Sequence, residues 1–228
     1  MDFVGIDKLS LLDYADYVSC VVFAPKCNFR CPFCHNGESV LGSSYSISMD
    51  EIVSYLNERK GILDAVVVSG GEPTLMDDIV DKIRVFKSLG LKIKLDSNGT
   101  NPDVIQKLLD EHLLDYIAMD IKNSEEKYPL TAGYKVVNMS NIKKSIEIIM
   151  NSGIDYEFRT TLVEEFHNKD DMEGLGELIK GSKKLFLQKF VDREGVIQKG
   201  LHPVSLEEAT SYKDILSSYI KEVNLRGY

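Results

Sequence analysis

The chain has 228 residues, of which 43% are hydrophobic and 28% charged, and 27 Lys and Arg against 36 Asp and Glu give a formal net charge of −9. A negative charge spread along the sequence argues against a nucleic acid or an anionic membrane surface as the main partner. The first residues show no basic segment followed by an apolar core, and no apolar run approaches the roughly 18 residues of a membrane span, so the sequence predicts a cytoplasmic protein.

Six short apolar runs, each followed by a helical pattern, predict a repeating strand-then-helix unit. Most of them are rich in apolar residues, as is typical of strands in a parallel sheet that is covered on both faces. The predicted strands are Val18–Ala24, Ala65–Ser69, Leu91–Asp96, Asp115–Ile121, Ile154–Leu162 and Lys184–Phe190. A full barrel of eight such units would need about 250 residues. The sequence therefore predicts one α/β domain over residues 1–228, built as a partial, TIM-like (β/α)6 barrel.

Start signals mark several helices between the predicted strands. Ser48 and Ser205 are each followed by a glutamate at the third helical position, which is the pattern of a capping box. Asn101 before Pro102 is typical of an N-cap followed by proline in the first turn. In barrels of this kind the chemistry lies at the carboxyl ends of the strands, so we expect functional side chains just after each strand.

Three cysteines, Cys27, Cys31 and Cys34, follow the first predicted strand as Cys-x3-Cys-x2-Cys. Clustered cysteines in a reducing compartment are typical of metal sites. A zinc site would need a fourth ligand such as His35, but zinc sites favour paired ligand knuckles and no second pair follows. The Cys-x-x-Cys-His pattern of c-type haem attachment would leave Cys27 unused. A [4Fe–4S] cluster held by three thiolates would keep one iron open, as a catalytic cluster requires. Cys20, inside the strand, is expected in the core.

The cysteine loop, with Phe33 at the aromatic position of Cys-x3-Cys-x-aromatic-Cys, resembles that of the radical S-adenosylmethionine (radical SAM) enzymes. The stretches Cys27–Asn36 and Ser10–Tyr14 look most like the activating proteins of glycyl-radical enzymes, in particular the activator of anaerobic ribonucleoside-triphosphate reductase. The resemblance extends from about Gly5 to Phe190. It implies a [4Fe–4S] cluster on the three cysteines, whose open iron binds the amino nitrogen and carboxylate of S-adenosylmethionine. One-electron cleavage of that molecule would give a 5′-deoxyadenosyl radical, which removes a hydrogen atom from a glycine of the partner enzyme.

A Gly-Gly-Glu-Pro segment that begins at Gly70 follows the second predicted strand. Two glycines permit a turn whose backbone approaches a ligand closely, although such a pair is also common in ordinary turns. By resemblance to the same motif of the family, Gly70, Gly71 and Glu72 hold the methionyl ammonium of S-adenosylmethionine. Asp96, at the end of the third strand, would help to bind that ammonium, whereas Asn98 before a glycine is typical of a turn.

The fourth predicted strand ends with Asp120 and Lys122, which strand alternation places on one face. The two residues could form a buried ion pair, although such pairs are costly to bury. By resemblance, Lys122 would pair with the methionyl carboxylate, and Asp120 would lie near the ribose or a bound cation. Gln188 is a further candidate cofactor-binding residue, but both it and Arg159 are equally compatible with the cavity and with an edge or surface position.

Other residues near the cysteines suggest contacts with the cofactor or with an electron donor. By resemblance, Phe33 and His35 lie near the cofactor, His35 with its backbone against the adenine. Lys26 and Arg30 flank the cysteines and form a basic rim, where an acidic electron donor such as a flavodoxin or ferredoxin could dock. The remaining histidines stand alone and are expected at the surface or in loops, namely His112, His167 and His202.

Two alternative functions stay open. A radical SAM enzyme that acts on a small molecule would close the loop Asn123–Val137 over the barrel mouth. A zinc-stabilised or electron-carrying protein would use the same cysteines without catalysis. The chain also departs from the activating proteins, which commonly have Pro-Gly in place of Ala15-Asp16 and glycine in place of Lys26. These departures leave the cysteines and the S-adenosylmethionine motifs untouched and bear on the shape of the rim that would meet a partner.

Overall fold

The computed structural model describes residues 2–37 and 45–228. Within these ranges eight strands form one open sheet, and each strand pairs with its neighbour in chain order. The first pair is antiparallel and every other pair is parallel. The strands are β1 (Gly5–Ser10), β2 (Ser19–Ala24), β3 (Ala65–Gly70), β4 (Lys92–Ser97), β5 (Tyr116–Asp120), β6 (Asp155–Leu162), β7 (Lys184–Lys189) and β8 (Glu222–Arg226).

The prediction of an α/β partial barrel is confirmed, and β2 to β7 match the six predicted strands to within one residue at either end. The predicted number of six strands is too low by two, because the sequence gives no signal for β1 and β8. Both lie at the edges of the sheet, where much of each strand is exposed or half-buried, so neither forms an apolar run. No pairing joins β1 to β8 in the described sheet, and the barrel therefore stays open.

Helices in the described ranges follow the parallel strands and cover the outer face of the sheet. They are α1 (Met49–Glu58), α2 (Ile79–Ser88), α3 (Pro102–Asp110), α4 (Tyr128–Thr131), α5 (Met139–Asn151), α6 (Lys169–Leu178) and α7 (Leu206–Leu216). The capping boxes at Ser48 and Ser205 are confirmed. Pro102 opens α3 as predicted, but Asn101 does not cap it with its side chain. The Asn101 amide instead donates to the carbonyl of Thr74 at 3.0 Å, which ties α3 to the turn after β3.

Strand β4 illustrates how the sheet separates an apolar face from a polar one. Ile93 and Leu95 are fully buried in the layer between sheet and helices. Lys94 and Asp96 alternate with them and face the inside of the curved sheet, where cavities open at the two ends. Cys20 of β2 is fully buried in the helix-facing layer, so its predicted core position is confirmed.

None of the helices in the described part of the chain has the length and apolar character that crossing a bilayer would require.

Candidate active site at the carboxyl ends of the strands

A cavity of about 250 Å³ opens where the parallel strands end, beside the cysteine loop. All but one of the site residues predicted from the sequence line it. These are Cys27, Cys31, Phe33, Cys34, His35, Gly70, Gly71, Asp96, Asp120, Lys122 and Gln188. Arg159 also lines the cavity. Arg159 and Gln188 therefore both lie in the cavity and not at an edge or on the surface, the alternative that the sequence left open. The wall contains further residues that sequence reasoning did not select, including Ser97, Asn98 and Thr161.

The cysteine loop is held from two sides. The Arg30 N–H donates to the carbonyl of Ala132 at 2.9 Å. Gly133 makes this approach possible, because an added Cβ there would lie 1.9 Å from the Arg30 carbonyl oxygen. The Phe33 ring lies 6.2 Å from the Phe166 ring, centroid to centroid. The loop is therefore anchored both to the segment after α4 and to the segment after β6.

The three thiols are soft ligands of the kind that an iron–sulfur cluster takes. Burial raises the pKa of Cys27 and raises that of Cys31 to about 11, so an external cation is needed to keep the thiolates charged. In an iron–sulfur cluster each thiolate binds a different iron. The three cysteines supply such soft sulfur ligands, and they line one cavity with Phe29 and Phe33.

The turn after β3 packs directly against the start of the cysteine loop. The Gly71 N–H donates to the Ala24 carbonyl at 2.9 Å, and the Glu72 N–H donates to the Lys26 carbonyl at 2.8 Å. A Cβ on Gly71 would lie 1.8 Å from the Lys26 carbonyl oxygen. Gly70 has a φ of +107°, which a residue with a side chain rarely adopts. The two glycines therefore allow the strand end and the cysteine loop to touch through their backbones.

Glu72 is the predicted site residue that does not line the cavity. Its side chain is fully buried, and its carboxylate accepts hydrogen bonds from the backbone N–H groups of Thr74 and Asn98 at 3.1 and 2.6 Å. The hydroxyls of Thr74 and Ser97 donate to it as well, at 2.5 and 2.9 Å. Burial raises the pKa of Glu72, and these hydrogen bonds oppose the rise. The structure thus places Glu72 behind the cavity wall, where it joins the ends of β3 and β4.

A row of alternating charges crosses the floor of the cavity. The Asp96 Oδ2 lies 3.2 Å from Arg159 Nη1 and accepts from the Ser69 hydroxyl at 2.9 Å. The Arg159 Nε donates to Asp120 Oδ1 at 3.0 Å, and the Lys122 Nζ donates to Asp120 Oδ2 at 3.1 Å. Burial alone would raise the pKa of Asp120, but Arg159 and Lys122 hold it at about 2. Asp120 in turn raises the pKa of Lys122 against the effect of burial, so the pair stays charged.

One oxygen in this row has no hydrogen-bond partner. Asp96 Oδ1 is buried without a hydrogen bond, and it forms an ion pair with Lys94 Nζ at 3.8 Å. Lys94 Nζ already donates to the Asp13 carbonyl at 2.5 Å. Buried carboxylate oxygens are normally satisfied, and here Lys94 gives this oxygen an ion pair in place of a hydrogen bond.

His167 lies in a loop, as expected, but it is 3% exposed and not at the surface. Its Nε2 lies 3.0 Å from the Lys122 carbonyl oxygen, and its Nδ1 lies 3.1 Å from the Val163 nitrogen. If Nδ1 accepts the Val163 N–H, Nε2 carries the proton and donates to Lys122. Burial lowers the pKa of His167, which favours this neutral form. A lone histidine in a loop gives no sequence signal that it is buried and hydrogen-bonded to the backbone of Lys122.

The comparisons with known proteins agree with this geometry. A family model described as the radical SAM superfamily matches residues 21–179. A protein of Methanocaldococcus jannaschii named as a glycyl-radical enzyme activating enzyme is 33% identical over 230 residues, which cover 97% of this chain and 94% of that protein. A protein of Pyrococcus horikoshii named as a GTP 3′,8-cyclase is 30% identical over 128 residues, covering 54% of this chain and 41% of that protein.

Solved structures share the fold at low sequence identity. Streptococcus suis SuiB bound to S-adenosylmethionine superposes with a TM-score of 0.69 at 13% identity, over 91% of this chain and 52% of that chain. A domain of the pyruvate-formate lyase-activating enzyme of Bacteroides vulgatus superposes with a TM-score of 0.56 at 15% identity, over 72% of this chain and 99% of that chain. Identities this low establish the fold and nothing further.

Proposed function

The chain belongs to the radical SAM superfamily, and from this premise we propose that it is an activating enzyme that generates a glycyl radical on a partner enzyme. Enzymes of this superfamily use a [4Fe–4S] cluster and S-adenosylmethionine. The observation that supports the finer assignment is the near full-length similarity to a protein named as a glycyl-radical enzyme activating enzyme. We take anaerobic ribonucleoside-triphosphate reductase as the candidate partner, because the sequence around the cysteines most resembles its activator. The activity is that of an oxidoreductase, in one radical SAM domain over residues 1–228.

Cys27, Cys31 and Cys34 are the residues that would hold the cluster. When bound, the reduced cluster supplies one electron that cleaves S-adenosylmethionine into methionine and a 5′-deoxyadenosyl radical. Cysteines that bind a cluster must stay reduced, and a reducing compartment such as the cytoplasm keeps them so.

The other residues of the cavity would bind and orient S-adenosylmethionine. Asp96 lines the cavity, and its carboxylate would bind the methionyl ammonium. The Lys122 ammonium would pair with the methionyl carboxylate, and its salt bridge to Asp120 keeps it charged and correctly placed. Gly70 and Gly71 line the cavity at the strand end and would contact the ligand through their backbones. His35 and Gln188 line the same cavity, at positions suited to the adenine and ribose.

The open sheet favours a protein substrate over a small molecule. Because β1 and β8 do not pair in the described structure, the wall of the barrel is incomplete and the mouth can admit a loop of another protein. The direct experiment incubates the reduced, cluster-loaded protein with S-adenosylmethionine and the reductase under anaerobic conditions. We expect the electron paramagnetic resonance doublet of a glycyl radical on the reductase. Release of 5′-deoxyadenosine in the presence of a metabolite alone would instead favour the small-molecule function, with which the partial similarity to a GTP 3′,8-cyclase agrees.

The proposed electron donor is a flavodoxin or ferredoxin that docks on the basic rim. Lys26 is exposed beside the cysteines, whereas the Arg30 guanidinium also donates to the Cys27 carbonyl at 2.5 Å and so braces the loop. Lys26→Glu is therefore the cleaner test, with Lys60→Glu at the opposite end of the sheet as the matched control. We expect slower cluster reduction by the protein donor in Lys26→Glu only, and equal reduction of both variants by dithionite. Equal rates with the protein donor would refute the docking site.

A further inference from the structure

The sulfur of Cys27 is the acceptor of two N–H groups. The Phe29 backbone nitrogen lies 3.3 Å from Cys27 Sγ. The Asn98 side-chain nitrogen Nδ2 lies 3.7 Å from the same atom, which is a normal separation for a hydrogen bond to sulfur. The first contact is made by the cysteine loop itself. The second is made across the cavity by a residue that follows β4, which the sequence marked only as a turn.

The orientation of the Asn98 amide is fixed by its neighbours. Asn98 Oδ1 accepts from the Thr100 backbone N–H at 3.0 Å and from the Thr100 hydroxyl at 2.7 Å. A backbone N–H can only donate, so the atom that faces it must be the amide oxygen. The amide nitrogen must then face the opposite way, where Nδ2 donates to Asn28 Oδ1 at 2.8 Å and points a second hydrogen at Cys27.

The backbone of Asn98 is held just as firmly. Its N–H donates to Glu72 Oε2 at 2.6 Å, and the residue is 6% exposed. The fully buried Glu72 thus connects the Gly-Gly-Glu-Pro segment to the sulfur of Cys27 through Asn98. A dipole that is fixed in a site of low polarity acts more strongly on a nearby charge than it would in water.

We propose that Asn98 sets the reduction potential of the cluster through its hydrogen bond to Cys27 Sγ, an inference that rests on the proposed cluster site. Reduction adds one negative charge to the cluster and its thiolates. An N–H group directed at a ligand sulfur stabilises this more negative state more than the oxidised state, and so raises the potential. Asn98 is a positioning and tuning residue here, since it acts on the cluster through Cys27.

The test measures the potential itself rather than enzymatic activity. Wild type, Asn98→Leu and Asn98→Asp are loaded with cluster and titrated against mediators, with the electron paramagnetic resonance signal of the reduced cluster as the readout. Leucine keeps a similar volume and removes the donor. At a fixed applied potential we expect the ratio of reduced to oxidised cluster to fall about tenfold, which corresponds to about 59 mV for a one-electron couple. Asn98→Asp preserves the acceptor for Thr100 and places a carboxylate oxygen near the sulfur, so its potential should fall further.

Asn101→Leu is the matched control, because the Asn101 amide donates to Thr74 and touches no sulfur. Its potential should equal that of the wild type. Equal potentials in wild type and both Asn98 variants would overturn this inference while leaving the proposed function intact. A wild-type protein that binds no iron and sulfide would overturn both, and failure of Asn98→Leu to fold would leave Asn98→Asp to decide the matter.

Discussion

Replacing Glu72 with glutamine should destabilise the protein even when no ligand is present. The carboxylate is fully buried and is the acceptor that joins the turn after β3 to the end of β4. In Glu72→Gln the amide oxygen can still accept from Thr74 and Ser97. The new NH₂ group, however, faces the N–H of Asn98, so that two donors meet and one loses its acceptor.

The magnitude follows from the hydrogen bonds that are lost. A buried N–H without a partner costs about 1–3 kcal/mol, so the free energy of unfolding of Glu72→Gln should fall by that amount. Glu72→Leu leaves the N–H groups of both Thr74 and Asn98 without acceptors and should cost about 2–6 kcal/mol. The hydroxyls of Thr74 and Ser97 add less to this loss, because they can rotate toward other acceptors.

Urea unfolding of the cluster-free protein, followed by circular dichroism, measures these changes directly. Glu58→Gln, at an exposed glutamate near the end of α1, is the control and should stay within about 0.5 kcal/mol of the wild type. If Glu72→Gln is equally stable and only binding of S-adenosylmethionine is lost, Glu72 is a ligand-binding residue and the argument for a buried anchor is wrong.

Two further predictions concern the neighbouring loops. Gly71→Ala should lower the iron bound after reconstitution several-fold, because the added carbon would lie 1.8 Å from the Lys26 carbonyl oxygen and displace the cysteine loop. Gly5→Ala adds a carbon that makes only an ordinary contact at 3.4 Å and should bind iron normally. Burial lowers the pKa of His167 below 6.5, so the unfolded chain takes up more protons in acid than the native protein does. The free energy of unfolding should therefore fall as the pH drops below about 6.5. This decline, measured by urea unfolding between about pH 5 and 7, should be smaller in His167→Gln.

Full iron binding by Gly71→Ala would mean that the strand end and the cysteine loop need not touch. An unchanged pH dependence in His167→Gln would assign the acid sensitivity to other groups, among which His35 also has a pKa lowered by burial.

The central strands were predictable because burial leaves apolar residues along them, as a continuous run in β2 and β3 and at alternate positions in β4. Edge strands are less buried and show no such pattern, and in β8 only Val223 is classed as buried. Alternation also predicted correctly that Asp120 and Lys122 share a face, and the structure pairs them. It could not tell whether Arg159 points into the barrel, because alternation relates residues within a strand and does not say which face is inside.

Sequence patterns could not predict contacts between residues that lie on different loops. The position of Glu72 depends on how two loops from different strands meet, and nothing local distinguishes a ligand-binding carboxylate from a buried anchor. The same holds for Asn98, whose turn signal is correct but conceals its contact with Cys27. His167 is buried because the segment after β6 folds back over the Lys122 carbonyl, a contact between residues 45 positions apart.

The central claim is that the three cysteines hold a cluster that cleaves S-adenosylmethionine. The most direct measurement reconstitutes wild type, Cys31→Ala and Cys20→Ala with iron and sulfide, reduces them with dithionite, adds S-adenosylmethionine without oxygen and quantifies 5′-deoxyadenosine by chromatography. Cys20 is buried in the helix-facing core, so its variant is the matched cysteine control. We expect the product from wild type and Cys20→Ala and none from Cys31→Ala. One zinc per chain without sulfide, or a bound cluster that yields no product in wild type even with its partner present, would contradict the account.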